Sequence, residues 1–175
     1  FVYFMTVCVH DLAQQLADTY CHEIDEVPPG PMSFSEKPLR IGMTKEGYWI
    51  TRPGQHDTMG QNLWGIVEHY RLSGDKEWLR RKAYDYVRRG ANWIINSRHK
   101  HMSEVKDPAD IRYGLLEPGA MEVFAFDKGM HDFYTNCWAV LGLHEAADAA
   151  LAVGHQDDHK LFQKEYADMR ESLLR

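Results

Sequence analysis

The stretch that decides the fold runs from Arg112 to Gly154 and reads R-Y-G-L-L-E-P-G-A-M-E-V-F-A-F-D-K-G-M-H-D-F-Y-T-N-C-W-A-V-L-G-L-H-E-A-A-D-A-A-L-A-V-G. Its first half is a loop punctuated by Gly and Pro. Its second half, from Asp132 to about Ala152, is apolar or small on nearly every face. A helix of that character is contacted on most of its sides. We therefore expect it at the centre of the domain, with a carboxylate-rich loop at its N-terminal end. Loops held by a rigid helix commonly carry catalytic residues.

Three further segments carry apolar residues at steps of three and four, which is the spacing of a helix with one buried face. These predicted helices run from Asp57 to Arg71, from an Asp75 cap to about Asn96, and from an Asp157 cap to Leu173. Residues Phe1–Tyr20 fit a helix by the same spacing, or a short strand because of their β-branched start. The regular structure predicted from the sequence is therefore helical.

Short turns join these helices in pairs. Gly74 precedes Asp75 in the first turn, and Gly154 precedes Asp157 in the second. Glycine suits the left-handed residue that ends a helix, and aspartate suits the cap of the next one. Two helices joined by so short a turn lie antiparallel, as an αα-hairpin.

The two hairpins resemble each other. Asn62-Leu63-Trp64 precedes the first turn, and Asn136-Cys137-Trp138 precedes the second. An internal hairpin repeat is typical of a helical solenoid or toroid. We predict an all-α fold of antiparallel αα-hairpins in a single domain, residues 1–175, with long irregular loops at residues 27–53 and 98–130, where Pro and Gly are frequent.

Both predicted loops carry side chains of interest. Tyr48 and Trp49 are expected to anchor the first loop on the core, and stacking on a sugar ring is the alternative. In the second loop, His99 and His101 are expected to be exposed and polar rather than a metal-binding pair. Trp64 and Trp138 lie within apolar stripes and are expected in the core.

Composition excludes several classes of function. The formal net charge of -6 disfavours a nucleic-acid partner, which requires a basic face. The mean hydropathy of -0.51, and the absence of an apolar run near twenty residues, disfavour a membrane span. Three cysteines without a C-x-x-C pair favour neither a disulfide framework nor a thiolate zinc site. We predict no metal, no cofactor and, since no signal peptide is visible, a cytoplasmic location.

Three stretches resemble a known superfamily. They are G-Q-H-D-T-M-G-Q-N-L-W-G-I-V-E-H-Y-R-L-S-G-D-K-E-W-L (Gly54–Leu79), G-L-L-E-P-G-A-M-E (Gly114–Glu122) and Y-T-N-C-W-A-V-L-G-L-H-E-A-A (Tyr134–Ala147). The patterns D-x-x-G-Q-x-L-W and G-L-L-x-P-G, in this order, are similar to those of the six-hairpin glycosidases. That resemblance implies an (α/α)6 toroid, a carbohydrate substrate held where the inner helices end, aromatic rings on sugar faces, and two carboxylates across the scissile bond.

The resemblance also assigns residues. Glu122 matches the acidic residue after the G-L-L-x-P-G turn, and its apolar neighbours would raise the pKa of its carboxyl group if it is buried, as a general acid requires. Asp57 matches the second carboxylate or a ligand of a sugar hydroxyl, and the alternative is a helix cap. Glu117 is a further catalytic candidate. The candidate substrate-binding residues are Tyr48, Trp49, His56, Gln61, Asp127, His131, Asp132 and Asn136, of which Asp132 is more simply a helix cap.

The chain departs from the family pattern in three respects. Glu117 stands where members commonly have Pro, and Asn136 stands where Asp is common, so that a charge is lost. A ring of six hairpins also needs about twice this length, at ~20 residues for each helix with its loop. The chain is therefore expected to be part of a larger enzyme, or a half-ring that another copy completes.

Three hypotheses for function remain open at this point. The first is a glycoside hydrolase that uses carboxylate acid/base catalysis. The second is a sugar epimerase on the same toroid, with bases such as His56 and His131. The third is a non-catalytic helical-repeat module or fragment that binds carbohydrate or protein. No phosphate-cradling loop, nucleophile elbow or dinucleotide fingerprint points elsewhere.

Overall fold

The computed structural model describes Cys21 and residues 42–50, 56–119 and 131–175. The described elements are β1 (Gly42–Met43), β2 (Trp49–Ile50), α1 (Asp57–Ser73), α2 (Lys76–Trp78), a π-helical turn (Leu79–Ala83), α3 (Tyr84–Val105), α4 (Phe133–Val153) and α5 (Gln156–Leu173). The fold is all-α, as predicted, with one small hairpin of two strands. The helix expected over Phe1–Tyr20 lies outside the described residues. None of the described helices has the length and apolar character needed to cross a bilayer.

Both predicted hairpin turns are confirmed. Gly74 (φ 70°) ends α1 and Gly154 (φ 93°) ends α4, each in the left-handed region that glycine adopts without steric cost. The Asp75 side chain accepts a hydrogen bond of 2.8 Å from the backbone N–H of Trp78, and so caps α2. The first hairpin therefore pairs α1 with the continuous rod of α2, the π-helical turn and α3. The second pairs α4 with α5.

Three predictions about helix ends and helix caps are wrong. The second helix extends to Val105 instead of Asn96, so the predicted loop at residues 98–130 begins only after that residue. Its last turns are polar and were interpreted as loop, but they contain no residue that breaks a helix. The last helix begins at Gln156 with His155 in the cap position, so Asp157 lies in the first turn instead of capping it. His56 occupies the cap position of α1, and Asp57 is its first helical residue.

Helices α1 and α4, the first helices of the two hairpins, run parallel and in close contact. A Cβ added to Gly60 would lie 1.9 Å from the backbone oxygen of Trp138, and one added to Gly142 would lie 2.9 Å from the Cα of Gly60. Two residues before the end of α1, Arg71 lies 2.6 Å from Glu145. These contacts advance in the same direction along both helices. The N-terminal ends of α1 and α4 are therefore neighbours.

The second helices of the hairpins, α3 and α5, also run parallel. Tyr84 donates a hydrogen bond of 2.6 Å to Asp158 near the start of both helices. Further along, Arg98 donates to Glu165 at 2.6 Å, and both of these side chains are almost fully buried. Two parallel helices, each followed by a helix that returns antiparallel, form a repeat in which the two hairpins pack side by side.

The two short strands, within residues 42–50, pack against the first hairpin. Trp49 is completely buried, and its ring packs on Gly90 of α3, where an added Cβ would lie 2.3 Å from the ring. Its backbone N–H lies 3.1 Å from the Sδ of Met59 on α1. The prediction that Trp49 anchors this segment on the core is confirmed, so its ring is not available to stack on a sugar.

Candidate functional site

The candidate site lies where α1 and α4 begin, because the parallel packing brings these two ends together. A third component is the segment Gly114–Gly119, which carries the G-L-L-E-P-G motif and contacts residues at the start of both helices. The predicted site residues found in this region are His56, Asp57, Gln61, Glu117, His131, Asp132 and Asn136. Glu122 and Asp127 lie outside the described residues.

A hydrogen-bonded chain of side chains connects the two helices. Asp57 is 2% exposed, and its Oδ2 accepts a hydrogen bond of 2.9 Å from the Nε2 of Gln61, one turn further along α1. The same Nε2 lies 3.2 Å from the hydroxyl of Tyr134 in the first turn of α4. Because a helix N-terminus favours negative charge, this position suits an ionised carboxylate. Asp57 is thus fixed in orientation from both helices.

Asn136 holds the Gly114–Gly119 segment against α4. Its Oδ1 accepts a hydrogen bond of 3.0 Å from the backbone N–H of Leu116, and its Nδ2 donates one of 2.9 Å to the backbone oxygen of Asp132. An aspartate could not make the second bond, since a carboxylate only accepts. The loss of charge at this position therefore has a structural reason. Both polar atoms of Asn136 are occupied by backbone, which leaves little for a sugar contact.

Glu117 is bound to α3 by an ion pair. Its Oε2 lies 2.6 Å from the Nζ of Lys100, and three quarters of the Glu117 side chain is buried. The hydrogen bond and the charge of Glu117 raise the pKa of Lys100, so that lysine stays protonated beside it. At the position where the resemblance expects Pro, this chain thus carries a carboxylate that is already neutralised by a cation.

His56 is enclosed by aromatic rings. Its ring centroid lies 5.1 Å from that of Trp93 on α3 and 5.9 Å from that of Tyr48, and these two rings are 4.8 Å apart. Gly119 approaches so closely that an added Cβ would lie 2.6 Å from the His56 Nδ1. Burial lowers the pKa of His56, with the carboxylate of Glu117 opposing the shift. His56 is therefore neutral at pH 7 and can act as a base.

His131 packs against a second histidine, His101. The ring centroids of His131 and His101 lie 4.5 Å apart, and His101 is buried on α3 rather than exposed in a loop, which corrects the prediction. His99 is exposed, as expected, and its Nε2 lies 3.1 Å from the Oε2 of Glu165. Burial lowers the pKa of His131, and the neighbouring His101 lowers it further. Neither His101 nor Trp93 was predicted as a site residue. His101 falls in the predicted loop, and Trp93 falls in a predicted helix whose contact with His56 depends on the fold.

Asp132 has the structural role that was weighed against a catalytic one. Its carboxylate accepts a hydrogen bond of 2.6 Å from the backbone N–H of Thr135, which makes it the N-cap of α4. A side chain committed to a cap has one oxygen left for other partners. Asp132 therefore contributes to the site mainly by fixing where α4 begins.

Aromatic side chains continue from the carboxylate end along both helices. The rings of Trp64 and Trp138 meet edge to face at 6.1 Å, and Tyr134 meets Trp138 in the same way at 6.2 Å. The two tryptophans are only partly buried, so the prediction that they lie in the core is wrong. Tyr134 is 46% exposed and is a further aromatic residue that the sequence analysis did not single out.

One histidine and two acidic residues form a cluster outside this site, and an arginine already neutralises the acidic charge. The ligand atoms of His144, Glu145 and Asp148 lie within 4.8 Å of one another, which would suit a metal ion. However, the guanidinium of Arg71 lies 2.6 Å from Glu145 and 2.8 Å from Asp148 and supplies the positive charge. A metal ion would have to displace this arginine. A shallow depression on α5, lined in part by Tyr166, contains none of the candidate site residues.

Comparison of the chain with family models, with curated proteins and with solved structures returns no match. A functional assignment therefore depends on the motifs and on the geometry described above.

Proposed function

We propose that this chain is a glycoside hydrolase-like protein, which cleaves a glycosidic bond by carboxylate general acid/base catalysis at the shared end of α1 and α4. The observation that carries the proposal is the parallel packing of these helices. It brings Tyr134 of α4 to Gln61, the partner of the buried Asp57 carboxylate on α1, while the Gly114–Gly119 segment contacts the adjacent His56, in the arrangement that the resemblance to six-hairpin glycosidases implies. Half-buried aromatic rings next to this carboxylate suit the apolar faces of a sugar.

Two carboxylates share the proposed reaction. Asp57 is the ionised partner, since a helix N-terminus favours its negative charge and Gln61 fixes its orientation. It serves as base or nucleophile, or holds a sugar hydroxyl. Glu122 is the proposed acid on the resemblance alone, because it follows the G-L-L-E-P-G motif. Glu117 is the weaker candidate, since its ion pair with Lys100 must break before it can donate a proton.

The experiment measures reducing sugar released from a panel of glycosides and oligosaccharides. We expect Glu122→Gln and Asp57→Asn each to reduce release by at least about a hundredfold, as loss of an acid or base does. Asn at position 57 still accepts from Gln61, so thermal unfolding should change little. Glu104→Gln, an exposed change at the end of α3, is the matched control and should keep full activity. Release that persists in both active-site variants would refute the assignment.

A second candidate, a sugar epimerase, is favoured by one observation. Burial lowers the pKa of both His56 and His131, and both rings contact the Gly114–Gly119 segment, so two neutral bases border the same part of the chain. Incubation of free monosaccharides and of oligosaccharides in D2O distinguishes the two functions. An uncleaved isomer carrying deuterium would establish the epimerase, and a cleaved product without exchange would establish the hydrolase. Binding of sugars without turnover would indicate a non-catalytic module.

We further propose that the two hairpins are part of a toroid, in which either a second copy or a longer chain supplies the remaining helices. The support is the parallel arrangement of α1 with α4 and of α3 with α5, which repeats around such a ring. The mass of the protein in solution tests the first possibility. A dimer would allow a completed ring, whereas a stable monomer would require the longer chain.

A further inference from the structure

Two histidines hold consecutive carbonyl groups of the same segment. The Nδ1 of His101, on α3, lies 3.1 Å from the backbone oxygen of Leu115, and the Nδ1 of His131, just before α4, lies 3.1 Å from that of Leu116. The segment Gly114–Gly119 is thus attached to two different helical elements by the same type of side chain. Both bonds lie beside Glu117 and the site proposed above.

The contacts determine the protonation pattern of the neutral rings. A carbonyl oxygen only accepts hydrogen bonds, so the proton of each neutral ring is on Nδ1, and each Nε2 keeps its lone pair. The ring centroids are 4.5 Å apart, and the rings are tilted by 34°. Protonation of both rings would place two positive charges at this separation, which disfavours the packed arrangement.

Among the surrounding charges, Asp110 favours a charged His131 and Arg112 opposes it, and the effect of Arg112 is the larger. The charged groups on the elements around the pair are Asp110 and Arg112 in the loop, Lys100 on α3, Glu117 in the segment, Asp132 before α4, and Arg98 with Glu165 across α3 and α5. Asp110 is held by Arg112 at 2.6 Å, and Glu117 by Lys100 at 2.6 Å. Asp132 caps α4. Among the described residues, each nearby carboxylate therefore already has a partner.

We propose that His101 and His131 form a proton-sensitive clamp on the Gly114–Gly119 segment. With both rings neutral, the clamp holds the segment against α3 and α4. When both rings are charged, their mutual repulsion outweighs the stronger hydrogen bond that each charged ring donates to its carbonyl, so the rings separate and release Glu117 together with the contact of Gly119 on His56. The clamp regulates access to this end of the helices, and it does not depend on which reaction occurs there.

Hydrogen exchange of two backbone amides reports on the clamp. The N–H of Leu115 donates to the oxygen of Arg112 at 3.1 Å, and that of Leu116 donates to Asn136 at 3.0 Å, so both are protected only while the segment is in place. We expect their protection factors to fall by about tenfold or more between pH 7.5 and pH 5.5, because repulsion between two charged rings opposes the closed arrangement. Amides in the middle of α4 should keep theirs.

Two variants remove the charge and keep the bond. His101→Asn and His131→Asn retain a side-chain donor near the position of Nδ1 but cannot be protonated. The protection of the segment should then be independent of pH over this range. His159→Asn is the matched control, because the Nδ1 of His159 lies 2.9 Å from the backbone oxygen of Ala147, away from the segment. It should behave like the unmodified protein.

Nitrogen NMR of the imidazole rings tests the same inference without any substitution. We expect the Nδ1–H tautomer for both rings at pH 7.5. An Nε2–H tautomer in either ring would overturn the proposal. So would protection of Leu115 and Leu116 that does not change with pH, or that falls equally in the doubly substituted protein. Since none of these measurements requires substrate, they are independent of the outcome of the glycosidase assay.

Discussion

The contact between α1 and α4 can be tested by adding one methyl group. Gly60→Ala places a Cβ that would lie 1.9 Å from the backbone oxygen of Trp138. Carbon and oxygen approach only to about 3.3 Å in favourable contacts. Because the obstructing atom belongs to the backbone of a helix, no side chain can rotate away, and the two helices must separate by about 1.4 Å at this point.

The expected change in the free energy of unfolding of Gly60→Ala follows from two opposing effects. Alanine is preferred to glycine inside a helix by about 1 kcal/mol, which stabilises the variant. Overpacking costs about 1–3 kcal/mol, and a gap of even ~1 Å forfeits up to about half of the dispersion energy of each contact it opens. The separation affects the whole interface, including Gly142 and Leu63. We therefore expect Gly60→Ala to lower the free energy of unfolding by up to about 2 kcal/mol in total.

Gly65 provides the matched control on the same helix. A Cβ added there meets no atom within 4 Å. Gly65→Ala should therefore show the helix preference alone and raise the free energy of unfolding by about 0.5–1 kcal/mol. Urea denaturation followed by circular dichroism measures both variants. If Gly60→Ala proves as stable as Gly65→Ala, then α1 and α4 do not cross as described, and the location of the site at their shared end loses its basis.

Three further predictions concern buried or capping charges. Glu165→Gln should lower the free energy of unfolding by about 3–5 kcal/mol, because it leaves the buried guanidinium of Arg98 without its counterion. Asp168→Asn, in an exposed pair on the same helix, should lower it by less than about 1 kcal/mol in the same denaturation assay. Asp132→Ala should cost about 1 kcal/mol through loss of the helix cap, and Asp132→Asn much less; equal losses in thermal unfolding would contradict the capping role. Burial lowers the pKa of His56 and His131 below the ordinary value of 6.5, so the unfolded chain binds more protons than the folded one. The free energy of unfolding should therefore decrease as the pH falls through 6.5. A free energy of unfolding that stays constant from pH 7.5 to 5.5 in urea titrations would rule this out.

The helices and their turns could be predicted because they depend on local signals. Apolar residues at steps of three and four marked α1, α3 and α5, a run of apolar and small residues marked α4, and Gly74 and Gly154 marked the turns. The end of α3 could not be predicted in this way. Its last turns are polar, and Arg98 and His101 are buried there only because Glu165 and Leu115, distant in sequence, supply their partners.

The site was predicted in part for the same reason. Asp57 and Glu117 were found through motifs, and their proximity to the start of α4 follows from packing. The role of Asn136 could not be inferred from the sequence, since a departure from a family pattern suggests only a loss. The contact of Gln61 with Tyr134 joins residues on different hairpins, and no local pattern indicates it.

The two hydrogen bonds made by the Asn136 side chain have a consequence for the order in which the chain folds. The N–H of Leu116 finds its acceptor on a side chain in the first turn of a helix twenty positions later. That acceptor has a defined direction only after the turn has formed around its cap. The motif-bearing loop should therefore be among the last parts to become ordered during refolding, after the central helix to which it is tied.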